Sequence, residues 1–197
     1  MNRRSFHIGF TLAVFAASAA AETPRLAIVL KHDSPLEQRK RDQLERIAAQ
    51  YDLKKFTITR DIVIEQSAVA HSKPVLTLNG RFLDNDDLAL SQYVHEQGHW
   101  VLGRHRNELR ELLRDLMTAF PGIPTEPPQG SGGAVDSYYH LAVILLEWQA
   151  LDELIGSERA RAAEAFKRTD HYTALYALVL DNRPRVEGIL SRHHIKW

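Results

Sequence analysis

The apolar residues of this 197-residue chain change their spacing near Asp84, and that change limits the fold more than any other feature. Before it, apolar side chains fall in short β-branched runs: residues 25–31 (RLAIVLK), 56–65 (FTITRDIVIE) and 73–82 (KPVLTLNGRF) read as strands. Asn79-Gly80 either turns a hairpin within the third run or ends it. One helix interrupts the strands. Ser34 can cap it, Pro35 suits its first turn, and Leu36, Leu44, Ile47 and Ala48 recur at helical spacing through Tyr51.

After Asp84 the spacing is helical almost throughout. Asp84 is the expected cap of a helix reaching Leu102, with Asp86 and Asp87 at its positive end. Gly103 breaks it, and a second helix with Leu109, Leu112, Leu113 and Leu116 as its stripe runs to Phe120. Residues 121–134 (PGIPTEPPQGSGGA) can only be a loop. Helices are expected over 136–155, 158–180 (with a break at Thr169-Asp170) and 184–194. The fold class that follows is α+β, a small sheet and then a helical half.

Residues 1–21 read as an export signal. Arg3 and Arg4 are a positive start, residues 6–20 are mostly apolar, and Ala19-Ala20-Ala21 fits the small-x-small cleavage pattern. Arg3-Arg4-Ser5-Phe6 also fits the core of a twin-arginine signal. The expected product is a periplasmic or secreted domain of residues 22–197, with no membrane anchor after cleavage. The whole chain has 25 basic and 25 acidic residues, and the signal removes Arg3 and Arg4 but no acid, so the remainder is formally −2. That balance offers no field for nucleic acid and no polybasic run for a lipid surface. Cysteine is absent, so a metal would have to be held by histidines and carboxylates, and the chain has ten histidines.

His95 and His99 are four residues apart within a predicted helix, so both imidazoles project from one face and can reach one ion. Glu96 is turned by about 100° from His95, beside that ion, where it can take a proton from water. Glu147 lies in residues 141–148 (LAVILLEW), where nearly every neighbour is apolar, and a buried carboxylate needs a partner. Either an arginine such as Arg110 or Arg114, or a metal, would serve. His140, seven residues earlier, is on the same helical face but about 10 Å away along the axis, so a straight helix gives the metal one of the two. Glu147 is assigned to the metal and His140 to the cleft wall. Donors for a developing oxyanion are sought among Tyr138, Tyr139, His140, His171 and Tyr172, with His171 and Tyr172 favoured because Thr169-Asp170 resembles a helix start that would project them.

The segment VHEQGHW (94–100) resembles the active-site helix of the zincin metallopeptidases, and the order of sheet then helices resembles their upper subdomain. The resemblance implies Zn2+ bound by His95 and His99, with Glu96 as general base. Glu147 as third ligand would match the gluzincins, although the residue four later is Leu151 where those enzymes often have an aspartate. His105 has the offset of the metzincin third ligand, but the glycine is at 103 and not at 102. The expected function is hydrolysis of a peptide or protein substrate. The alternative is a zincin-like domain that binds zinc or a protein partner without turnover.

Overall fold

The computed structural model describes residues 25–197. The expected signal, residues 1–21, lies outside the described residues. Within them, no helix is long and apolar enough to cross a membrane.

The chain is α+β. Strands β1 (Ala27–Leu30), β2 (Asp61–Ile64) and β3 (Leu76–Leu78) form a parallel sheet in the order β1-β2-β3. Helix α1 (Pro35–Gln50) crosses from β1 to β2, as a parallel pair requires. Its start is specified twice over. The Ser34 hydroxyl accepts from the Glu37 amide at 3.2 Å, and the Glu37 carboxylate accepts from the Ser34 amide at 3.4 Å, a reciprocal capping box. Asn79-Gly80 ends β3 and turns no hairpin, because β3 pairs with β2 in the same direction.

The helical half follows as α2 (Asp86–Arg104), α3 (Leu109–Ala119), α4 (Ala134–Lys167), α5 (Thr173–Asp181) and α6 (Arg183–Arg192). Two expected boundaries move. Asn85, not Asp84, caps α2 by accepting from the Leu88 amide at 3.0 Å, and α2 continues through Gly103 to Arg104. Both breaks expected between 136 and 180 are present: α4 is two helical segments that meet at a kink at Gly156, and residues 168–172 separate it from α5. Gly156 has φ 78° and ψ 158°, a left-handed conformation that a side chain would resist.

Two buried clusters share α2 and α4. Ile62, Ile64, Leu76 and Leu78 of the sheet meet Leu44 and Ile47 of α1 and Leu90 and Val94 of α2. On the other side Leu102, Leu112, Leu116, Leu141, Leu145 and Leu175 bring α2 to α5 together, and Val186 and Leu190 add α6. Each such side chain contributes about 1.5–3 kcal/mol through burial. Gly98, inside the HEQGH segment, lies where α2 meets α4: a Cβ there would stand 3.4 Å from Val143 Cγ1. The close contact of α2 and α4 is what builds the site.

Candidate metal centre

Helix α2 presents His95 and His99 one turn apart, as the spacing predicts, and α4 presents His140 to them. The ligand-capable atoms of His95, His99 and His140 all lie within 4.8 Å of one another. The rings are mutually close, with centroids 5.2 Å (95 to 99), 5.6 Å (95 to 140) and 5.0 Å (99 to 140) apart. Nitrogens bound to one zinc at about 2.0–2.1 Å can be at most about 4.2 Å apart, so a small ring rotation closes the triad on an ion. This buried group could hold a metal ion.

The outer nitrogens are already assigned. His140 Nδ1 donates to the Asp136 carbonyl at 2.9 Å, with the Asp136 carboxylate also near at 3.4 Å. A carbonyl can only accept, so the proton is on Nδ1 and the Nε2 lone pair is left for a ligand bond. His95 Nδ1 donates to Glu147 Oε2 at 2.8 Å, which fixes the same tautomer. Burial pushes the His95 and His99 pKa values below the ordinary histidine range, so both imidazoles are neutral near pH 7, the form that binds metals.

Glu147 therefore has a different place from the one expected of it. Of the two α4 residues, His140 faces the other two histidines, and Glu147 stands behind His95. Neither Arg110 nor Arg114 is its partner. Three hydroxyl and imidazole donors are: Ser91 Oγ, Tyr176 OH at 2.7 Å and His95 Nδ1. Burial by itself would raise the Glu147 pKa, but the His95 bond, the Lys167 charge and the Ser91 bond outweigh it and hold the group anionic. His105 caps the end of α2, 4.0 Å from Glu108, and is not part of the triad.

Glu96 faces a cleft of about 280 Å³ whose lining includes His95, Arg81, Lys167, His171 and Tyr172. It is 6 % exposed and accepts no hydrogen bond among the described residues. Burial pushes its pKa up to about 8, with Lys167 pulling down and Glu147 pushing up. Both expected donors line this cleft. His171 Nδ1 donates to Asp170 at 2.6 Å, and Asp170 is also paired with Arg81. Tyr172 is not inside a helix but precedes α5 in a left-handed conformation (φ 52°, ψ 36°), a costly backbone state for tyrosine. Its ring centre is 4.5 Å from that of His140 and 6.4 Å from that of His95, over the triad. Tyr139 lies on the far side of His99, ring against ring at 5.4 Å, and donates to the His99 carbonyl at 3.1 Å.

Three contributors went unread in the sequence. Ser91 is one helical turn before His95 on the same face, a usable signal. Tyr176 and Lys167 have none, since a tyrosine within a helix and a lysine in a last turn are ordinary. Set against known proteins, the chain matches no family model, no curated protein and no solved structure.

Proposed function

We propose that the chain is a zinc-dependent hydrolase of peptide or related amide bonds. The observation that carries the reading is the group of three histidines with Glu96, which accepts no hydrogen bond among the described residues, in the cleft beside it. Three nitrogen ligands with room for a fourth suit Zn2+ in its catalytic form, and the lack of cysteine removes the thiolate alternatives. In this reading His95, His99 and His140 hold the ion. Bound there, zinc would supply Lewis-acid polarisation of the scissile carbonyl and acidify water.

The chain's own groups do the rest. Glu96 takes the proton of the attacking water and passes it to the leaving amine. Glu147 keeps the His95 ring in place and in one tautomer, and Asp136 does the same for His140. Tyr172 and His171 are the available donors to the developing oxyanion.

The test compares metal content and hydrolysis in the same preparations. Wild type should contain about one zinc per chain; His140→Ala and His99→Ala should lose it, and His105→Ala should keep it. Glu96→Gln should keep zinc and lose about 10²–10⁴-fold in hydrolysis of a peptide library. Hydrolysis undiminished in Glu96→Gln, or a zinc content indifferent to His140, refutes the reading. Zinc without hydrolysis in the wild type favours the binding domain instead.

A further inference from the structure

Lys167, the last residue of α4, is 3 % exposed and lines the same cleft as Glu96, His95 and Tyr172. A buried ammonium is expensive unless something answers its charge. Among the described residues it forms no hydrogen bond and no ion pair; its one recorded polar contact is with the face of the Phe82 ring, 5.2 Å from the centroid. Lys40, the other fully buried lysine, shows what satisfaction looks like: it donates to Gln43 Oε1 at 3.1 Å and to the Arg81 carbonyl at 3.0 Å.

The nearby carboxylates are otherwise engaged. Glu147 already accepts from Ser91, His95 and Tyr176. Asp170 already accepts from Arg81 and His171. Glu96 lies in the cleft with no bond to Lys167, and in the reading above its oxygens handle the water's proton. The cleft thus has a buried ammonium that the charges of Glu147, Asp170 and Glu96 favour from a distance but that no group among the described residues bonds directly, a few side chains from where an amide bond would be cut.

The geometry points to a substrate that carries a carboxylate, with Lys167 as the residue that binds it. This deepens the hydrolase reading and rests on it. The carboxylate can come from two sources, the free C-terminus of a peptide or an acidic side chain next to the scissile bond. Binding restores to Lys167 the stabilisation that burial removed, since burial lowers its pKa and an adjacent anion raises it. At the rim Arg81 stands half exposed with its guanidinium paired to Asp170, so Lys167 is the cation there that lacks a direct carboxylate partner among the described residues.

The experiment uses three probes on zinc-loaded protein, with affinities measured by calorimetry. They are N-acetyl-Ala-Ala with a free carboxylate, its neutral amide, and N-acetyl-Ala-Glu amide, whose only carboxylate is on the side chain. One of the two acids should bind about tenfold tighter than the neutral amide, the value of a charge-assisted hydrogen bond. Which acid does so identifies the source. The preference should vanish in Lys167→Met, which keeps the apolar stem, and persist in Lys167→Arg. In turnover of longer peptides the KM advantage of the acids over the neutral peptides should disappear in Lys167→Met, while any change in kcat falls on both alike through Glu147 and Glu96. Equal binding of all three probes by wild type, or a preference that survives Lys167→Met, overturns the proposal. The two readings fail separately. Hydrolysis without the preference refutes the carboxylate site alone, whereas the preference without any hydrolysis refutes the hydrolase and leaves a carboxylate-binding site.

Discussion

The two sides of His95 offer a controlled comparison. Behind the ring, between α2, α4 and α5, Glu147 is 2 % exposed and accepts three hydrogen bonds. In front of it, in the cleft, Glu96 is 6 % exposed and accepts none among the described residues. The cations repeat the contrast, since Lys40 has two acceptors and Lys167 has none. All four ionisable groups are buried, so burial alone does not mark function here. What separates the two regions is whether the fold itself completes the bonding. Behind His95 it does, and the charge is structural. In the cleft, among the described residues, neither Glu96 nor Lys167 has a hydrogen-bond partner, the pattern on which the proposed ligand rests.

The comparison breaks if the two carboxylates cost the same to remove. Glu147→Ala strands three buried donors, each worth about 1–3 kcal/mol when left unpaired, and should destabilise metal-free protein by at least ~3 kcal/mol. Glu96→Gln swaps a buried carboxyl group that accepts no hydrogen bond among the described residues for its neutral amide, and should leave stability within about 0.5 kcal/mol or raise it. Urea denaturation of the two variants beside wild type decides it, and equal losses would sink the contrast.

Lys40 sharpens the contrast through pH. Burial lowers its pKa from 10.5 to about 8, the Asp86 charge opposing and Lys167 adding to the shift. A lysine with a depressed folded value destabilises the fold fully below that value, and the penalty fades as pH climbs towards the unfolded value. Wild type should therefore gain on Lys40→Met between pH 8 and 10.5. The gain should be on the order of 3 kcal/mol at ~1.4 kcal/mol per pH unit. A flat difference over that window would show that Lys40 is no more than an ordinary surface lysine in energetic terms.

Tyr176→Phe is the smallest and most local change. It removes one of the three donors to Glu147 while His95 and Ser91 remain, so about 1 kcal/mol should be lost, with the zinc content unchanged. A loss of zinc would mean that Tyr176, and not Glu147, sets the His95 ring.

How much of this could be read from the sequence depended on how local the cause was. The strand and helix order, the Ser34 cap and the pairing of His95 with His99 on one face are short-range matters of period and capping, and the structure has them. Glu147 was legible as a buried carboxylate in need of a partner, because its apolar neighbours are contiguous in sequence. Its actual partners come from α2 and α5, 56, 52 and 29 residues away, and no spacing rule reaches them. The same gap exchanged the roles of His140 and Glu147. Helical periodicity placed both on one face, but only the packing of α4 against α2, close where Gly98 meets Val143, says which of the two meets His95 and His99. Lys167 was invisible for a further reason: its significance is the bond it lacks.

The bend at Gly156 has a consequence for scale. His140 and Lys167 lie on the two segments of α4 that meet at Gly156, 27 residues apart, and an unbent rod of that length would separate them by about 40 Å. With the kink, Lys167 lines a cleft with His95 and Tyr172, the two rings that also stand against His140. One dihedral pair at residue 156 thus turns a rod into a caliper. One jaw carries the imidazole of the histidine triad, the other the ammonium, and their opening sets the distance between the two groups.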